Sequence, residues 1–206
     1  AANFKKNETA NYNTWDIPQV GCGYLAVQSK TGPFAMDHPN GKLMRQALSH
    51  AIDKEAIHQA IFNGLSESLN GFYGTASSWH MPDIKNIKEY DPEKSKAILR
   101  KLNAMNTPVA VVARQAYSYM HQTGEIVYSM LEEAGFKVTN EVFDNPVLRK
   151  KYKKSDYGVD STANSYRFEP DQWYSVNVLS SGPSTKLRTG YKNEAADKLI
   201  VAARAT

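Results

Sequence analysis

Bond-making chemistry needs a nucleophile with a base, a convergent metal ligand set or a phosphate cradle, and the chain offers one cysteine and five histidines for the first two. Cys22 sits between Gly21 and Gly23. None of His38, His50, His58, His80 and His121 forms a Cys–His arrangement with it, and there is no Gly-x-Ser-x-Gly elbow. The plain reading of Cys22 is a small packing residue. His50 and His58 stand two turns apart on a helical pattern that Asp53 interrupts, so they do not converge on a metal. Capping or solvated histidines fit better. No glycine-rich loop of the Walker or dinucleotide type occurs, which removes the commonest nucleotide readings. Catalytic residues, a metal and a cofactor are all expected to be none.

Binding chemistry is better represented. Tyr166, Arg167, Phe168, Trp173 and Tyr174 crowd one strand-to-helix junction, and Arg114-Gln115-Ala116-Tyr117-Ser118-Tyr119 forms a second. Aromatic faces and guanidinium groups hold a ligand without breaking it. In α/β domains the crevice beyond the carboxyl ends of strands is where ligands sit. A helix amino terminus and Arg167 would both favour an anionic group there. The expected ligand-binding set is Tyr166, Arg167, Phe168, Trp173, Arg114 and Tyr117, with core packing as the competing role for Phe168 and Trp173. The run Arg149-Lys150-Lys151-Tyr152-Lys153-Lys154 raises nucleic-acid binding. It lies on one short helix with a single interleaved aromatic and no recognition signature, so a solvated helix face is the expectation.

The elements that must position these side chains can be read from periodicity. The chain is loop-like through Gly23, and Tyr24 to Gln28 reads as a buried strand. Leu43, Met44, Ala47, Leu48, Ala51 and Ile52 form one apolar stripe, and Ala56, Ile57, Ala60 and Ile61 a second, with Gly64 as its left-handed cap. Leu65 to Tyr90 reads as a long surface excursion. Asp91-Pro92-Glu93 is a helix start. Val109 to Ala113 predicts a strand, Ile126 to Ala134 a helix stopped by Gly135, Lys137 to Phe143 a strand, Asn145 to about Lys154 a helix, and Tyr157 to Asn164 a strand. Pro170 opens a further helix. Asn193 caps the last, whose apolar face is Ala196, Leu199, Ile200 and Ala203.

That order predicts an α/β fold: a three-layer sandwich, with a mixed sheet and helices on both faces. The 206 residues are enough for one domain with a real core. A composition of 41% hydrophobic and 22% charged residues, with a net charge of +4, is globular rather than disordered. One cysteine excludes an internal disulfide framework. No apolar run approaches the roughly 20 residues needed to cross a bilayer.

Several blocks, in order, resemble the extracellular solute-binding proteins of ABC transporters, the family of oligopeptide-, dipeptide- and nickel-binding receptors. The most specific runs from Leu43 through Arg45-Gln46-Ala47 to Ala51-Ile52-Asp53-Lys54 and on to Phe62-Asn63-Gly64. Tyr90-Asp91-Pro92-Glu93-Lys94, Glu133-Ala134-Gly135-Phe136 and Gly190-Tyr191-Lys192-Asn193 resemble later family blocks. Tyr24 to Gln28 takes the place of the first strand, although the family usually ends it with Asn. The resemblance covers residues 20 to 206 and matches the second of the family's two lobes.

It implies residues 1–206 as one domain, one lobe of a two-lobed periplasmic-binding-protein fold, with residues 1–22 as an entry segment near the hinge. It implies a non-enzymatic receptor that captures a peptide or other small solute for import, with a missing first lobe and a membrane ABC permease as partners and no nucleic acid. The location implied is periplasmic or the extracellular face of the cytoplasmic membrane. The alternative from the residues alone is a small basic α/β module binding nucleic acid, or an uncharacterised α/β enzyme. Peptide-binding members place an aspartate shortly before an acidic-Pro pair to hold the peptide amine. Here Ser165, Tyr166, Arg167 and Phe168 precede Glu169-Pro170. The resemblance therefore implies a ligand with an anionic or acceptor-rich end, with Asp160 as the other carboxylate that could take an amine.

Overall fold

The computed structural model describes residues 21–84, 89–165 and 169–205. Four strands, β1 (Gly21–Val27), β2 (Pro108–Arg114), β3 (Lys137–Phe143) and β4 (Val159–Ser165), form one sheet in the order β1-β4-β2-β3. β2 runs parallel to both β3 and β4, whereas β1 is antiparallel to β4. Parallel neighbours need crossovers. The helices α3 (Pro92–Lys101), α4 (Ser118–Glu133) and α5 (Asn145–Lys154) fall in the long connections between strands; α1 (Gly41–His50) and α2 (Lys54–Phe62) follow β1. After β4 come α6 (Pro170–Asn177), α7 (Pro183–Leu187) and α8 (Glu194–Ala202).

Strand alternation divides the core. Val109, Val111 and Val159 face one layer with Met44, Leu48, Leu99, Val127 and Leu131 from α1, α3 and α4. Val112, one residue out of phase, faces Leu148 and Tyr152 of α5, Tyr157, and Leu187 of α7. Helices on both faces of a mixed sheet are what the periodicity predicts. Each fully buried Val or Leu contributes about 1.5–3 kcal/mol.

Helix starts follow local chemistry. The side chains of Asp53, Asp91 and Asp144 accept from the amides of Ala56, Lys94 and Val147, each at 2.9 Å, and Asn193 accepts from Ala195 and Ala196. Each fills one of the orphan donors of a first turn. Gly135 ends α4 at a φ of +97°, and a β-carbon there would collide with Met105.

Two expectations are corrected, and two further features went unread. Gly21 to Gly23 are strand, not loop, and pair with Ser165, Asn164 and Ala163; at Gly21 the neighbouring backbone is so near that a β-carbon would lie 2.7 Å from the Asn164 carbonyl oxygen. Two glycines masked the strand because they carry no side-chain signal. The left-handed cap of α2 is Asn63 at a φ of +49°, followed by Gly64 at +72°. The five-residue α7 has too few turns to show a period. The apolar face of α8 has the expected spacing and is not buried, with Leu199 72% exposed.

Candidate functional site

Because β2, β3 and β4 are parallel, Arg114, Phe143 and Ser165 all end at one edge of the sheet, and the amino end of β1 meets them there. β4 alternates Asp160, Thr162 and Asn164 on one face, the face of α5. Arg114 reaches across to this row: its Nη1 donates to Thr162 Oγ1 at 2.7 Å and its Nε to Asn145 Oδ1 at 3.1 Å. Tyr24 stands opposite Thr162 in the β1–β4 register. Its hydroxyl oxygen accepts from Asn164 Nδ2 at 3.0 Å and from Arg188 Nη1 at 3.3 Å.

Beneath lies a buried ion pair. Asp160 is fully buried, and its Oδ2 accepts from Arg188 and, at 2.7 Å, from Tyr152. The guanidinium of Arg188 also lies 5.3 Å from the Tyr152 ring and 5.9 Å from the Tyr24 ring. Burial works hardest against the charge on Arg188, but Asp160 together with Tyr24 and Tyr152 outweighs it and holds the guanidinium above its ordinary range. Burial, reinforced by the Asp160 carboxylate, pushes the Tyr152 phenol well above the usual tyrosine range. Asp160, which the resemblance left open as a partner for a ligand amine, is thus paired through Oδ2 with Arg188 and Tyr152, while its Oδ1 is buried without a hydrogen-bond partner among the described residues.

Of the six expected ligand-binding residues, Tyr166, Arg167 and Phe168 lie outside the described residues. Trp173 meets Tyr24 edge-on at 6.2 Å and stacks on Phe72 at 3.8 Å between ring centres. Its Nε1 is buried and finds no acceptor among the described residues. Phe72 comes from the long excursion after α2, which therefore folds back onto α6. Arg114 and Trp173 accordingly flank one polar strand face, joined through Thr162 and Tyr24. Tyr117 stands apart at the start of α4, 47% exposed, in an aromatic row with Tyr119 at 6.0 Å and, beyond it, Phe62 at 6.3 Å from Tyr119. Burial, and next the neighbouring Tyr117, raise the Tyr119 phenol.

Tyr24, Thr162, Asn164, Phe72 and Arg188 were not expected. The polar period-two row Asp160-x-Thr162-x-Asn164 was a readable signal, because a strand in a core should not carry three polar residues on one face. Phe72 and Arg188 carried none, since only tertiary folding brings them in.

The other candidates resolve structurally. Burial pushes the Cys22 thiol up to about 11, which leaves little thiolate for nucleophilic attack. His50 and His58 are buried, not solvated; their Nδ1 atoms pair with the Glu89 carbonyl at 2.8 Å and the Ser66 hydroxyl at 3.0 Å. Among the described residues no group of three or more His, Cys, Asp or Glu gathers as a metal site. On α5, Arg149, Lys150, Lys153 and Lys154 are exposed, and Lys151 pairs with Asp156 and Glu141.

Comparison with known proteins places this geometry in context. Residues 1–186 match the family described as bacterial extracellular solute-binding proteins, family 5 Middle. The dipeptide-binding protein of Escherichia coli (strain K12) is 27% identical over 97 residues, covering 47% of this chain and 17% of the relative. Heme-binding protein A of Haemophilus influenzae is 24% identical over 191 residues, covering 88% of this chain and 33% of the relative. The oligopeptide-binding protein AppA from Bacillus subtilis, solved in complex with a nonapeptide, has a TM-score of 0.81 at 22% identity and covers 100% of this chain and 43% of that one. The chain spans at most 33% of the length of these two curated relatives.

Proposed function

Since the chain belongs to the bacterial extracellular solute-binding proteins, family 5, we propose that it is the ligand-recognition lobe of a receptor that captures a peptide or other small solute for import. The lobe acts by binding rather than by catalysis. A first lobe of the same receptor closes over the solute, and a membrane ABC permease receives it. The place of action is the periplasm or the outer face of the cytoplasmic membrane. Among the described residues no helix is long and apolar enough to cross a membrane.

The observation that carries this reading is the convergence of Arg114, Thr162, Tyr24 and Trp173 on one strand face at the carboxyl edge of the sheet. Hydrogen-bonding groups there are backed by a stacked aromatic pair, which suits a solute with an apolar part and an acceptor-rich end. The named relatives support the class: one is a dipeptide-binding protein, one binds heme, and one was solved with a nonapeptide. Calorimetric titration with a fractionated peptide hydrolysate tests it. Saturable binding that weakens roughly thirtyfold or more in Trp173→Ala is the expected result. Binding that Trp173→Ala and Arg114→Ala both leave intact would place the site elsewhere.

A further inference from the structure

We infer that Tyr24 is the hydrogen-bond donor with which this face grips the solute, and that the group gripped is an acceptor oxygen, of a carboxylate or an amide carbonyl. The inference rests on the solute-binding reading above and adds the residue and the chemistry it selects.

A phenol oxygen has two acceptor positions and one proton. Both acceptor positions of Tyr24 are taken, by Asn164 Nδ2 and Arg188 Nη1. Arg188 has no acceptor atom, so it cannot receive the Tyr24 proton. Asn164 faces the phenol with its amino end and cannot receive it either. Among the described residues no other acceptor meets that hydroxyl, so its one remaining hydrogen-bonding capacity is to donate. Two incoming N–H bonds, one from a cation, also polarise the O–H and strengthen it as a donor.

The direction of that donor is fixed in advance. Arg188 is held by the fully buried Asp160, which Tyr152 also bonds. The Tyr24 ring is set by its edge contact with Trp173, itself stacked on Phe72. Little freedom remains to be lost when a ligand arrives. The same arrangement rejects an ammonium group, which has only protons to offer. The carboxylate that could have received one, Asp160, is fully buried beneath and ion-paired with Arg188.

The test uses the chain, Tyr24→Phe and Asn164→Asp, each titrated to millimolar concentration with N-acetyl-dialanine and with its carboxamide, and followed by nitrogen–proton NMR. Tyr24→Phe keeps the ring and loses only the hydroxyl. Asn164→Asp keeps the hydroxyl but gives its proton an internal acceptor. Both are expected to bind at least about tenfold more weakly than the parent, with thermal midpoints recorded to confirm folding. Loss confined to the free acid identifies the acceptor as a carboxylate; equal loss with the carboxamide identifies an amide carbonyl. If the parent binds and Tyr24→Phe stays within twofold of it, the assignment to Tyr24 is overturned and the solute-binding reading stands. If the parent binds neither compound, the assignment to Tyr24 is overturned, and the hydrolysate titration above decides the solute-binding reading separately.

Discussion

The polar strand face depends on a charge pair that cannot be taken apart one residue at a time. Replacing Arg188 by Met leaves the Asp160 carboxylate buried with only the Tyr152 hydroxyl, and removal of one partner of such a pair costs about 3–5 kcal/mol. Asp160→Leu combined with Arg188→Met should cost clearly less than the two single losses summed, as urea denaturation of the four proteins would show. A sum that is strictly additive would mean the ion pair contributes nothing. Cys22 gives a second residue-level expectation. Its thiol ionises near 11 in the folded chain against an ordinary 9.0, so the folded state disfavours the thiolate. That contribution to stability is complete below pH 9 and is lost as pH rises toward 11. At pH 8 iodoacetamide should alkylate the native thiol about a hundredfold more slowly than the urea-unfolded one. At this scale the sequence was informative where residue type alone speaks, as with Arg114 and Trp173. It was silent on Tyr24, whose place in an apolar run hid the hydroxyl that two distant donors engage.

Helices and strands were legible wherever the signal was local. The caps of α2, α3, α5 and α8 are side chains bonding amides two or three residues on; Asp91 and Asn193 marked real starts, whereas Asp53 read only as an interruption and Asp144 was passed over for Asn145. Asp91→Ala should lower stability by about 1 kcal/mol, and Asp91→Asn should recover most of it, measured by thermal melting. Gly135→Ala should cost more, because its left-handed φ opposes a β-carbon, whereas the neighbouring end of Met105 can swing aside. Where the signal was not local, the reading failed. The first turn of β1 is written in glycines and becomes a strand only because β4 lies beside it. The apolar residues of α8 have helical spacing, but spacing says which side is apolar and not what lies against it.

For the whole molecule, the alternation of strand and helix and the division of apolar residues between two faces were enough to predict layers and a mixed sheet. Strand order and the antiparallel insertion of β1 next to β4 were not, because they depend on pairings across most of the chain. The uneven burial can be checked directly. Leu131→Ala, in the fully buried centre, should cost about 2–5 kcal/mol, whereas Leu199→Ala on α8 should change stability by less than about 0.5 kcal/mol in this chain. A large effect at Leu199 would mean that α8 is covered.

The pairing of β1 with β4 also sets a timetable. Tyr24 meets Asn164 across 140 residues and Arg188 across 164. Contacts of such separation form slowly, because a long loop must close before any of them is gained. The locally connected elements, α1, α2, α3 and the β2–β3 pair, can form while Tyr24 still has no partner. The recognition face is therefore assembled last, and its aromatic and hydroxyl signals report that folding has finished rather than that it has begun.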